Sequence, residues 1–161
     1  MRRLSRTAAT LVCMVVAASC GRYDPALGDC NAVRSQYPSF PAERWRTYDF
    51  ETQYRVYMCA NQGVHPHRGG ETLLAAGGAP MARFLAIKLE ATDYDLTIEN
   101  IITVFAVMQS MRTFDATTDP ALMNLLERKV SSLARPEDRS VREWSERYLQ
   151  TIRAGPGAPL P

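Results

Sequence analysis

Apolar residues recur at the period of a helix along most of the chain, and no stretch alternates cleanly enough to read as a strand. The strongest run lies over 96–111. There Ile98, Ile101, Ile102, Phe105 and Met108, with Val104 and Met111 beside them, cover so much of the circumference that this helix is expected at the centre of the fold. Residues 42–60 contain neither Gly nor Pro. They place Trp45, Tyr48, Thr52, Val56 and Cys59 at helical spacing, with Phe50, Tyr54, Tyr57 and Met58 widening the stripe, which predicts one long amphipathic helix. Gly63, Pro66 and Gly69 end it, since Gly supplies a left-handed stop and Pro cannot donate the next hydrogen bond.

The pattern resumes with a short helix over 71–76 and a longer one over 79–91 carrying Met81, Phe84, Leu85 and Leu89. Thr92-Asp93-Tyr94-Asp95 offers an Asx-type cap to the central helix. Asp119-Pro120 is a start signal followed by Leu122, Leu125, Leu126, Val130 and Leu133, and Arg135-Pro136 is a stop. A last helix carries Val141, Trp144, Tyr148 and Ile152. The expectation is an all-α domain over 42–154, built of five or six antiparallel helices closed as a bundle or stacked as a short α-α superhelix. Before it, 20–41 holds Gly21, Pro25, Gly28, Pro38 and Pro41 with little periodicity and reads as a tether; after it, the Pro- and Gly-rich 155–161 reads as a disordered tail.

The first nineteen residues carry a different message. Arg2, Arg3 and Arg6 form a positive head, residues 8–18 form an apolar stretch too short to span a bilayer, and Ala17-Ala18-Ser19 leads into Cys20. This arrangement resembles the signal and lipobox of bacterial lipoproteins, departing from the usual pattern where Ala17 stands in place of Leu. The resemblance implies lipid attachment through a thioether on Cys20 and removal of 1–19. It also implies an envelope location, at an outer membrane facing the periplasm if the cell has one, because Gly21 and not Asp follows the cysteine. The alternative is an ordinary cleaved signal and a secreted or periplasmic protein. Acyl chains contribute about 0.8 kcal/mol per buried methylene, so a multiply acylated Cys20 would hold the chain firmly to a leaflet.

Export also changes the meaning of charge and cysteine counts. Without Arg2, Arg3 and Arg6, 16 basic residues face 17 acidic ones, and a net charge of −1 gives no electrostatic reason to expect nucleic acid as a partner. Cys13 leaves with the signal and Cys20 is taken by lipid, so Cys30 and Cys59 remain. An even pair in an oxidising compartment reads as a disulfide, against the alternative of two unrelated buried thiols.

Two stretches of 33 to 35 residues, 79–111 and 119–153, each read as a helix pair. With Pro80 at a helix start, Phe84, Leu85 and Leu89 in a first helix and Ile101, Ile102, Phe105 and Met108 in a second, they resemble HEAT or armadillo-like helical hairpins. That resemblance implies a protein-binding surface without catalysis. Catalytic material is correspondingly thin: there is no nucleophile elbow and no expected cofactor, and both histidines sit in His65-Pro66-His67. Those two imidazoles could share a divalent metal with Cys59, Glu71 or Asp93, giving a metal-binding or metal-dependent hydrolase alternative; an exposed interhelical loop stopped by Pro66, or a histidine packed on Trp45 or a tyrosine, is the simpler account. The acid pairs Asp93/Asp95 and Glu137/Asp138 read as helix-start charges, and Gly77-Gly78-Ala79-Pro80 as a turn. Trp45, Tyr48, Tyr54 and Tyr57 read as core, becoming a recognition face only if exposed. The sequence thus favours a lipid-anchored, non-catalytic envelope protein that binds another protein, as adaptor, assembly factor or inhibitor.

Overall fold

The computed structural model describes residues 24–37, 42–62, 69–133 and 139–161. Among them every regular element is helical: α1 Cys30–Gln36, α2 Ala42–Trp45, α3 Phe50–Asn61, α4 Gly70–Ala75, α5 Gly78–Ala91, α6 Asp95–Met111, α7 Pro120–Ser132 and α8 Arg139–Ala154, with 3-10 turns at Pro25–Leu27 and Ala116–Thr118. The all-α class agrees with the sequence pattern, and the larger number of segments comes from short helices flanking the long ones.

The most apolar helix is the hub. α6 packs against α3, α4, α5, α7 and α8, most extensively α8. Ile98, Ile101, Ile102, Val104, Phe105 and Met108 are buried on several sides at once, which a nearly uniform apolar circumference requires. α7 begins where Asp119 accepts hydrogen bonds from the amides of Ala121 and Leu122, with Pro120 at the first helical position. α6 starts differently from expectation. Its N-cap is Tyr94, which makes no side-chain cap bond, while Asp95 lies in the first turn and Asp93 pairs with Lys129 at 3.0 Å.

The helix expected over 42–60 is broken into α2 and α3. Asp49 caps α3 by accepting the Thr52 amide at 2.7 Å, and that bond holds the Asp49 carboxyl below its ordinary range. The Gln53 side-chain amide donates to the carbonyls of Trp45 and Tyr48, satisfying groups that a continuous helix would have bonded itself. Apolar spacing survives the break because both pieces bury the same face, Trp45 in α2 and Tyr54, Val56, Tyr57, Met58 and Cys59 in α3.

The described parts of the two segments flanking the expected domain depart from the sequence reading. The supposed tether is folded from Asp24 to Tyr37. Asp29 caps α1, Leu27 and Val33 are buried, and α1 lies on α3 with the Arg34 guanidinium donating to the Cys59 carbonyl at 2.8 Å. Its prolines and glycines build a 3-10 turn instead of a loose linker, with Pro25 opening it and Gly28 closing it at φ 71°. The supposed disordered tail folds back at Gly155 and Gly157, whose positive φ permits the turn. The Gly157 amide donates to the Gln109 carbonyl at 2.8 Å and the Thr151 hydroxyl to the Pro159 carbonyl at 3.1 Å.

Candidate functional site

α3, α4, α6 and α8 leave between them a cleft of about 500 Å³. Tyr57 and Asn61 come from α3, Glu71 from α4, Glu99, Asn100 and Thr103 from α6, Trp144 and Tyr148 from α8, and Pro161 from the returning tail. The local reason is the one polar strip on α6. Glu99, Asn100 and Thr103 stand at helical spacing on one side of a helix whose remaining turns are nearly all apolar, so the packing of α6 points them into this gap.

Glu99 is the most perturbed acid among the described residues. Burial pushes its carboxyl up from an ordinary 4.5 to about 7, and no ion pair among the described residues involves either Glu99 or Glu71. The Glu71 carboxylate accepts the Gly69 amide at 3.0 Å. Tyr57 forms the floor. Its hydroxyl donates to the Asn100 carbonyl at 3.4 Å, and its pKa is driven well above the ordinary tyrosine value, first by burial and then by the charges of Glu71, Glu99 and Tyr148, which places these groups in one electrostatic neighbourhood.

The wall is aromatic. Trp144 is 41% exposed, its ring 6.1 Å from that of Tyr148, and the Arg147 guanidinium lies 5.1 Å from the indole centroid. Trp144 was expected to share the core stripe of its helix, but the stripe that α8 buries runs through Val141, Ser145, Leu149 and Ile152, and Trp144 sits at its margin. A desolvated carboxyl, a second carboxylate, two amide side chains and two adjacent aromatic rings form a surface suited to a cation: an entering ammonium or guanidinium would meet charge and π faces together.

A second cleft of about 460 Å³ adjoins Trp45, Phe50 and Leu73, but its charged residues, Glu43 and Arg46, are both exposed. Large exposed apolar side chains are scattered over different elements: Ile87 on α5, Met111 ending α6, Trp144 on α8 and Leu160 in the tail.

The residues singled out from sequence are distributed as follows. Cys30 and Cys59 form a disulfide with Cα atoms 5.1 Å apart, tying α1 to α3. Cys59, weighed as a third metal ligand, therefore has no free thiolate. Cys20, His65, His67, Glu137 and Asp138 lie outside the described residues. Among the described residues no group of three His, Cys, Asp or Glu side chains is disposed to hold a metal. Trp45, Tyr54 and Tyr57 are buried and Tyr48 half-buried, so that aromatic set is core and not a recognition face. Glu99 went unremarked in the sequence, although an acid within the most apolar helix was a signal. No family profile, curated protein or solved structure matches this chain.

Proposed function

We propose that this chain is a bacterial lipoprotein, anchored through lipid on Cys20, whose all-α domain is a non-catalytic module that binds another envelope protein. The cleft between α6 and α8 is where that partner engages, and the segment it takes carries a lysine or arginine. The observation that carries the reading is the meeting in one cleft of an exposed Trp144 with Glu71 and Glu99, carboxyls that make no ion pair among the described residues. Exposed aromatic anchors next to desolvated groups are where binding energy concentrates. The rest of the described surface offers only isolated apolar residues, and these do not compose a broad interface.

The test is made in membranes of a bacterium expressing the full chain. Intact mass reports whether the mature protein starts at Cys20 and carries lipid. A photoreactive residue replacing Trp144 is then compared with the same residue replacing Ile87, which is 70% exposed on a different face. The expected result is a discrete adduct from position 144, absent from position 87 and lost when Glu71→Gln and Glu99→Gln are combined. Equal crosslinking from both positions, or an adduct indifferent to the two glutamates, would contradict the reading.

A further inference from the structure

Asp24 is held by hydrogen bonds to three other parts of the fold. The Asp24 amide donates to Gln62 Oε1 at 2.9 Å. Its carboxylate accepts from the Thr97 hydroxyl at 2.8 Å, the Thr92 hydroxyl at 3.2 Å and the Ala26 amide at 2.9 Å. Gln62 Nε2 donates in turn to Thr97 Oγ1 at 2.8 Å, and Lys129 Nζ to the Thr92 carbonyl at 2.6 Å. Asp24 is only 5% exposed, so this node is an internal clamp. It joins the C-terminal ends of α3, α5 and α7 to the N-terminal end of α6, and so defines one end of the bundle.

Only Gly21, Arg22 and Tyr23 separate Cys20 from this clamp. Four virtual bonds of the backbone reach at most about 15 Å, against the roughly 25 Å length of α6. We infer that the domain is held directly on the bilayer, with the end of the bundle marked by Asp24, Gln62 and Thr92 toward the headgroups and the end at Ala116–Thr118 away from them. This rests on the lipid at Cys20 proposed above. Asn61 is next to the clamp residue Gln62 and Glu99 lies two residues past Thr97, so the cleft lies in the membrane-proximal half, and the segment it accepts must be presented close to a membrane surface.

The experiment uses the full lipoprotein, purified from membranes and reconstituted into phosphatidylcholine vesicles containing a headgroup-labelled acceptor lipid. A donor dye is placed at Ala91→Cys, beside Thr92 at the near end, or at Ala121→Cys, at the start of α7 at the far end; both positions are exposed. The expected result is energy transfer at least roughly twofold stronger from position 91 than from 121, a difference erased by a Gly/Ser insertion of about 20 residues after Gly21. Equal transfer from the two positions in the uninserted protein would overturn the inference. Intact mass on the same preparation separates the two failures: equal transfer with lipid present removes the short attachment alone, and absence of lipid removes the anchor and this inference with it.

Discussion

Two carboxylates near the start of the central helix are shielded from water, Asp24 fully and Glu99 in part, and they have opposite company. Asp24 is met by two hydroxyls and an amide at 2.8 to 3.2 Å. Glu99 is half-buried with no ion pair among the described residues, and its carboxyl is pushed up to about 7. A buried acid whose oxygens accept hydrogen bonds holds structure together; one without such partners carries a desolvation penalty that a proton or an incoming cation relieves. Asp24 thus belongs to the architecture, and Glu99 is the group on which the proposed recognition depends.

The largest expected effect belongs to the covalent tie beneath the Asp24 node. Converting Cys30 and Cys59 together to serine opens a loop of sequence separation 29, and chain-entropy arguments put the loss at about 3 to 4 kcal/mol, measurable by urea unfolding. Asp24→Ala comes next. It strands the Thr97 and Thr92 hydroxyls and the Ala26 amide, and a drop of about 3 kcal/mol is expected, with accelerated amide exchange over residues 24–37. A loss under about 0.5 kcal/mol would mean the node is ornamental and would remove the architectural half of the comparison.

Glu99→Gln should act with the opposite sign. The unfolded carboxyl titrates near 4.5 and the folded one near 7, so the native state binds the extra proton between those values. The stability of the unsubstituted protein therefore falls as pH rises through this window and levels off above it. Glutamine removes that loss. The variant should match its parent below pH 4.5 and exceed it by about 3 kcal/mol above pH 7, when thermal or urea unfolding is followed across the range. Trp144→Ala is expected to have the smallest effect on folding, within about 1 kcal/mol given its exposure, while weakening capture of the partner by about 2 kcal/mol or more.

The helical class and the central position of 96–111 were legible because apolar periodicity is a local property, and Asp119-Pro120 marked a true helix start because capping is local too. The break at Asp49 was not legible: it depends on the Gln53 side chain folding back on two carbonyls, a choice that competes with a helix having the same apolar spacing. Composition misjudged 24–37 and 155–161, since Pro and Gly serve loose linkers and tight turns alike and only partners such as Gln62 and Gln109 decide between them. The cleft was hidden for a similar reason. Tyr57, Glu71, Glu99 and Trp144 lie on four helices spread over 88 positions of sequence, and no spacing rule brings them together.

The most direct test is a carboxyl NMR titration of Glu99 in the full chain purified in detergent, without and with a trilysine peptide. A midpoint near 7 is expected in the free protein, moving toward the ordinary range as the peptide ammonium groups supply the missing countercharge. A free midpoint near 4.5, or one near 7 that the peptide does not move, would contradict the assignment of this cleft to cation recognition.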